Sequence, residues 1–397
     1  MTRGDNRTSV LLISIDSGSV GVSHALVLPH TQQRTSASLV WPTITDTKKV
    51  TFGISDDPTP SRYLDTACKA LDNALTPISP SSDTTPAHLL VVLGAPWTIT
   101  QTRTILFRKA TSFIVTKRMV DDFIAKEIAY MMNHDMDQFK TLGTESTIIE
   151  QHITAILLNG YETTKPFGKK ATSISITLTI TLSPKAVITQ FTETIHRHYG
   201  VRRLRFASTT MAHFVVARDY GVHTMHESVE DFFIVDMSED ITDIIFAKQN
   251  TLLYHQTIAL GTHSLTQQLN TIRNGNIAET DALITAYKKD ALDAPQKALV
   301  SNALTQFQTM WTKQVDAVFD THVFGLCAPK NGIVITEDVW SDIIKTSLEN
   351  DQFLAHTAGV PSLTVTTILP ETIVTSIDPK GQSARCAAAA LFMSQLL

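Results

Sequence analysis

Phe232 to Ile244 reads Phe-Phe-Ile-Val-Asp-Met-Ser-Glu-Asp-Ile-Thr-Asp-Ile, and Val10 to Ser19 reads Val-Leu-Leu-Ile-Ser-Ile-Asp-Ser-Gly-Ser. Each stretch is a mostly apolar run that ends at an aspartate and turns through small or polar residues. An apolar run of this length bounded by turn residues predicts a buried strand. Outward from Asp16, Val22–Leu28 and Ser38–Trp41 are expected as hairpin-linked partners. Outward from Asp236, Ile241–Ala247 and Leu252–Leu260 take the same places. Two copies of strand, aspartate turn, strand and strand, about 220 residues apart, predict an internal duplication within a mixed α/β fold.

Between the copies the pattern changes. Pro60 opens a helix with Leu64, Ala67, Leu71 and Leu75 on one face, and Leu89–Leu93 is a buried strand stopped by Gly94 and Pro96. A small α+β module is expected from Thr98 to Thr181, in the order helix, strand, strand. Its helix carries Val120, Phe123, Ile124, Ile128 and Met131; Ile148–Leu158 turns at Asn159-Gly160; Ile174 to Leu182 alternates with Ser and Thr. Trp97 reads as a hinge into the module, and Ser183-Pro184 as the cap of a helix bearing Val187, Ile188, Phe191 and Ile195, closed by Gly200. Helices are expected from Thr262 to Val318, then a strand at Gly332–Ile335, a helix at Val339–Leu348 and a buried terminal helix at Cys386–Leu397.

Composition limits what such a chain does. Across 397 residues, 43% are hydrophobic and 18% charged, enough for two or three cores. A net charge of −5 offers no basic field for nucleic acid, and Cys68, Cys327 and Cys386 have no zinc or disulfide spacing. The apolar runs at Val10–Ile15 and Ala387–Leu397 are shorter than the ~20 residues a transmembrane helix requires. A cytoplasmic protein is expected, meeting a membrane only through a partner and not by insertion. No Ser-His-Asp or Cys-His arrangement has motif context, so hydrolase chemistry is set aside.

An aspartate at a strand end, followed by Ser17, Gly18 and Ser19, suits phosphate and metal: turn N–H groups and hydroxyls meet phosphate oxygens, and the carboxylate orients Mg²⁺ through water. The same turn also serves a hairpin that needs only Gly and Ser. Three segments together are more specific. Asp16–Ser19, Asp236–Ile244 and Gly332–Asp338 resemble, in order and spacing, the phosphate-1, phosphate-2 and adenosine motifs of the actin, Hsp70 and sugar-kinase superfamily. Within it the chain resembles the FtsA/PilM family. Leu253–Leu269 looks like that family's strand–Gly–helix entry, and Phe206–Val216 sits where it has a Leu-Ala-Ser-x-x-Ala helix.

The resemblance implies an actin-like (ribonuclease H-like) duplicated two-lobe fold with an inserted small α+β subdomain of SHS2 type. The first lobe would be 1–97, completed by 182–230 and 360–397, the insert 98–181 and the second lobe 231–359. It implies ATP and Mg²⁺ as cofactors, with Asp16, Ser17, Gly18, Ser19, Asp236, Ser238, Thr242, Asp243, Gly261 and Thr336 around the nucleotide and Asp16 and Asp236 holding Mg²⁺ through water. It implies a scaffold of a prokaryotic envelope machine. A PilM-like chain would bind the cytoplasmic tail of an inner-membrane, PilN-like pilus protein in the cleft between the first half-domain and the inserted module. An FtsA-like chain would bind the tail of FtsZ, and the resemblance allows self-association, of which both families contain examples; a terminal helix without an amphipathic anchor points to the PilM-like role. A small-molecule kinase of the same superfold is the enzymatic alternative.

The sequence departs from the motifs where phosphate would lie. Ser238, Glu239 and Asp240 replace three glycines, and Thr336-Glu337-Asp338 replaces three more; Val20 and Gly21 stand where Lys or Gln follows phosphate 1. Glycine lets backbone approach phosphate, whereas side chains obstruct it. Two carboxylates facing a polyphosphate add repulsion of ~4 kcal/mol per charge pair at 4 Å and an effective dielectric of 20. A weak or degenerate nucleotide site is expected.

Overall fold

The computed structural model describes residues 7–29, 34–35, 38–39, 41–53, 59–76, 86–134, 145–199, 203–224, 230–249, 251–273, 277–320, 328–336, 338–349, 353, 355–357, 362–369, 373–376 and 384–397. The loop at 77–85, Gly200, Cys327 and Glu337 lie outside the described residues.

Two sheets carry the duplication. In the first, β1 (Thr8–Ile15) pairs antiparallel with β2 (Ser19–Val27), which pairs antiparallel with β5 (Thr43–Thr51); between them a short ladder joins β3 (Arg34–Thr35) and β4 (Ser38–Leu39). Helix α1 (Pro60–Leu75) leads to β6 (His88–Leu93), parallel to β1. A second sheet of four strands follows, built by β7 (Ile99–Ile114), α2 (Lys117–His134), β8 (Ser146–Leu158), β9 (Tyr161–Glu162) and β10 (Lys170–Pro184), in the spatial order β7-β10-β8-β9. Helix α3 (Lys185–His198) returns the chain to the first sheet, where β11 (Leu204–Ser208) lies parallel to β6, and α4 (Thr209–Thr224) follows.

The third large sheet repeats the first. Strand β12 (Phe232–Met237) pairs antiparallel with β13 (Thr242–Lys248), and that with β14 (Thr251–Ile258). Helices α5 (Thr262–Arg273), α6 (Ile277–Lys288) and α7 (Ala294–Phe319) then lead to β15 (Asn331–Ile335), parallel to β12. Helix α8 (Asp338–Leu348), β16 (Thr364–Ile368), β17 (Thr375–Ser376) and α9 (Ala384–Leu396) complete the described chain. The spatial orders β11-β6-β1-β2-β5 and β16-β15-β12-β13-β14 match strand for strand, in direction as well as position; β17 extends the first sheet beyond β5.

The apolar runs at β1 and β12 arise because both strands are covered on two faces, and successive side chains alternate between those faces. Val10 and Leu12 share one core with Phe232 and Ile234, together with Phe214 of α4 and Ala387–Ala390 and Phe392 of α9. Leu11, Ile13 and Ile15 face a separate core under α1 and α3, while Phe233, Val235 and Met237 face a third with Trp311 of α7. The sheets therefore share a central layer formed by α4 and α9.

Four expectations are corrected. The third strand of the first sheet is Thr43–Thr51, not Ser38–Trp41; its Asp46, Lys48 and Lys49 are charged and half-buried, which hides the apolar signal, and Ile44 is its buried apolar anchor. The α+β module begins with a strand, β7, whose Thr, Arg and Lys side chains give a two-sided polar pattern far from a buried run. Trp97 is no hinge: it is buried at 3% exposure and stacks on Tyr63 with ring centroids 4.8 Å apart. Ser183 lies within β10, and the N-cap of α3 is Pro184, which offers no side-chain cap.

Candidate functional site

The two aspartate turns meet at the floor of the molecule, where β1 and β12 end side by side. Asp16 and Asp236 are 4% and 3% exposed, and both reach the guanidinium of Arg385. Arg385 Nη2 donates to Asp236 Oδ1 at 2.5 Å and Nε to Asp236 Oδ2 at 3.3 Å, while Nε stands 3.4 Å from Asp16 Oδ1. Asp16 further accepts from Ser14 Oγ at 2.8 Å, and its carbonyl accepts from Trp97 Nε1 at 2.9 Å. Gly94 runs against this carboxylate: a Cβ there would stand 2.7 Å from Asp16 Oδ1.

Sequence reasoning placed Arg385 just ahead of the terminal helix. The structure puts it inside the first turn of α9, 6% exposed. A charged residue flanking an apolar helix ordinarily reads as solvated. The signal that would have found it is the pair of aspartates, which become neighbours only once the sheets are assembled.

The turns also touch each other. Ser17 Oγ lies 3.0 Å from Ser238 Oγ, and Asp240 N–H donates to Ser17 Oγ at 3.2 Å. A Cβ on Gly18 would stand 2.7 Å from the Cβ of Glu239. Ser19 is buried, and its carbonyl accepts from Asp16 N–H at 2.9 Å, closing the first turn. Glu239, 8% exposed, pairs with Lys49 of β5 at 3.0 Å. The first N–H groups of α5, a natural anion site, are turned onto the second turn instead. Thr262 N–H donates to Ser238 O at 3.0 Å and His263 N–H to Glu239 O at 2.7 Å. Gly261 makes this approach possible, since a Cβ there would lie 2.5 Å from each of those carbonyls.

The remaining sequence-predicted residues sit around this floor in structural bonds. Thr242 Oγ1 donates to Leu260 O at 2.7 Å and accepts from Trp311 Nε1 at 3.1 Å. Thr336 Oγ1 donates to Met237 O at 3.2 Å. Asp243, directly across the β12–β13 ladder from Asp236, lies 3.0 Å from His255 Nε2 and accepts from Thr257 Oγ1 at 2.5 Å.

Electrostatics follow the burial. Burial pushes the Asp16 carboxyl up to about 7 against the pull of Arg385, with Glu239 and Asp236 adding to the rise. Burial likewise raises Asp236 to about 6. Burial pushes Glu239 up too, but Lys49 and Arg385 outweigh it and hold the carboxyl at about 2. His213 of α4 lies with Nδ1 3.3 Å from Asp236 Oδ2 but out of line for a hydrogen bond; burial and Arg385 lower it to about 3, so the ring is neutral.

These residues do not fit a Mg²⁺–triphosphate. The two carboxylates that would orient Mg²⁺ are joined by a guanidinium, the N–H groups of Asp16, Ser238 and Asp240 and the first N–H groups of α5 are taken by protein atoms, and the Glu239 side chain packs against Gly18.

Two grooves are present, one of which borders the floor. One of about 890 Å³ passes Ser17, Tyr63, Trp97, Arg103, Tyr254 and Asp240. The other, about 440 Å³, lies between β8 and β11, with Glu150, His152, Ile188, Arg205, Phe392 and Leu396 among its walls. Strand β11 ends its sheet, and among the described residues no strand pairs with its outer edge. Strand β8 pairs with β10 on one side and, on the other, with β9 only at Leu157 and Leu158. No helix among the described residues is long and apolar enough to cross a membrane.

No family model matches the sequence, and no curated protein matches it. Solved structures do. A chain of a PilM–PilN type IV pilus biogenesis complex superposes with a TM-score of 0.61 at 10% identity, covering 97% of this chain and 98% of that one. The ethanolamine utilization protein EutJ of Carboxydothermus hydrogenoformans gives 0.44 at 9% identity over 96% and 89%. A Bacteroides thetaiotaomicron protein described as having an actin-like ATPase fold and unknown function gives 0.39 at 11% identity over 99% and 98%. With its two matching mixed sheets around a shared helical layer, and its full-length likeness to the first of these structures, the chain has an actin-like fold.

Proposed function

We propose that this chain is a PilM-like scaffold of a prokaryotic envelope machine, which captures the cytoplasmic tail of an inner-membrane partner and does not turn over ATP. In this reading residues 1–97, 182–230 and 360–397 form one lobe and 231–359 the other. Residues 98–181 form the SHS2-type insert, extended to Pro184 by the length of β10. The protein is held at the inner membrane through its partner.

The observation that carries the proposal is the groove between β8 and β11. Among the described residues no strand pairs with the outer edge of β11, and β8 pairs along Thr147–His152 with β10 alone, which is the condition for an extended peptide to add as a strand. Ser208 N–H, at the end of β11, is taken by Glu150 Oε1. Ile188, Phe392 and Leu396 supply apolar contact for alternate side chains, and the groove lies between the first lobe and the insert. The PilM–PilN likeness supplies the kind of partner, an inner-membrane pilus protein. The closed floor weighs against the kinase alternative, which needs a phosphate cradle and a carboxylate aimed at a substrate hydroxyl.

Fluorescence anisotropy with labelled cytoplasmic-tail peptides of inner-membrane pilus proteins tests this. We expect saturable binding, weakened tenfold or more by Arg205→Glu in the β8–β11 groove and unchanged by Tyr254→Ala in the other groove. Binding of an FtsZ tail peptide instead would make the chain a division protein; binding of neither peptide overturns the proposal.

A further inference from the structure

The two aspartates that a divalent ion would bridge are already bridged by a cation that belongs to the chain. We infer that Arg385 is a built-in replacement for that metal, and that it keeps the two sheets clamped at the floor without Mg²⁺ or nucleotide. This goes beyond the partner-tail proposal and does not depend on it.

Three features carry the inference. Arg385 lies in the first turn of α9, where the positive end of the helix disfavours a cation. A buried guanidinium there needs carboxylate partners, and Asp16 of one sheet and Asp236 of the other supply them. A second ion pair crosses the same seam, since Lys49 belongs to the first sheet and Glu239 to the turn after β12. Finally, Ser17 to Ser238 and Gly18 to Glu239 are in direct contact, so the two turns close on each other with protein atoms at these positions. In a cleft worked by a metal–nucleotide complex the carboxylates remain available to the metal; here both are held by one guanidinium on a side chain that cannot dissociate.

The test uses the whole chain. For wild type, calorimetry and thermal melting with millimolar MgCl₂, MnCl₂ or Mg-ATP are expected to show no binding heat and no shift in melting temperature. Arg385→Ala leaves two buried carboxylates unmatched, and its melting temperature is expected to fall by about 5–10 °C. Millimolar MnCl₂ or MgCl₂ then restores several degrees in this variant, because a metal bound only by the folded state stabilises it. If Arg385→Ala does not fold without metal, refolding on addition of MnCl₂ is the same result. The triple variant Asp16→Asn/Asp236→Asn/Arg385→Met is expected to fold and to ignore both metals. A wild-type melting temperature raised several degrees by Mg-ATP overturns the inference, and so does an Arg385→Ala protein that neither metal moves.

Discussion

Ser17 Oγ and Ser238 Oγ stand 3.0 Å apart although 221 residues separate them in the chain. The contact joins the two aspartate turns directly, and each hydroxyl has a second role: Ser17 Oγ accepts from Asp240 N–H, and Ser238 Oγ donates to Ile241 O at 3.1 Å. A double-mutant cycle of Ser17→Ala and Ser238→Ala, read by urea denaturation, is expected to give a coupling energy of about 0.5–1.5 kcal/mol. A coupling of zero would mean that the turns are not in contact in solution.

The acid side of the stability profile reports on Asp16. Its carboxyl is raised to about 7 in the folded chain from an ordinary value of 3.8, so the folded state holds more protons than the unfolded state between those limits. Stability from this group is fully present below about pH 3.8 and is lost as pH rises towards 7. Asp16→Asn removes that dependence. The difference in melting temperature, variant minus wild type, is therefore expected to rise steadily from pH 4 to 7 and to level off above 7.

His213 contributes with the opposite sign. It is buried and neutral, with its pKa lowered to about 3 from 6.5, so acid protonates the unfolded chain first. Stability from this group is lost as pH falls from about 6.5 to 3, at up to about 1.4 kcal/mol per pH unit. His213→Phe is expected to flatten the wild-type loss across that window; a profile identical to wild type would show that the imidazole is charged in the fold.

Most of the central architecture was legible because it rests on strands buried on both faces. Val10–Ile15 and Phe232–Val235 read as apolar runs for that reason, and the aspartates that end them marked the duplication. What the sequence concealed is polar or distant. Strand β7 places Arg103, Arg108 and Lys109 along a sheet edge, where strand periodicity gives no hydrophobic signal. Substitution of the turn glycines by Ser238, Glu239 and Asp240 was visible, but its consequence was not: Glu239 finds Lys49, and the turn carbonyls find the N–H groups of α5. Arg385 was invisible as a site residue because no local pattern joins position 385 to positions 16 and 236.

Glycines in the turns give the most direct measure of how tightly the floor is closed. A methyl group at position 18 meets the Glu239 side chain at 2.7 Å, and a side chain can swing aside. A methyl at position 261 meets two backbone carbonyls at 2.5 Å, both already accepting hydrogen bonds from Thr262 and His263, so neither can yield without breaking the start of α5. Gly18→Ala is therefore expected to cost about 1–3 kcal/mol in urea denaturation, most of it recovered in a Glu239→Gly background. Gly261→Ala is expected to cost more than Gly18→Ala and to gain nothing from Glu239→Gly, because its obstacle is main chain. Equal rescue of both variants would place the closure in the Glu239 side chain alone.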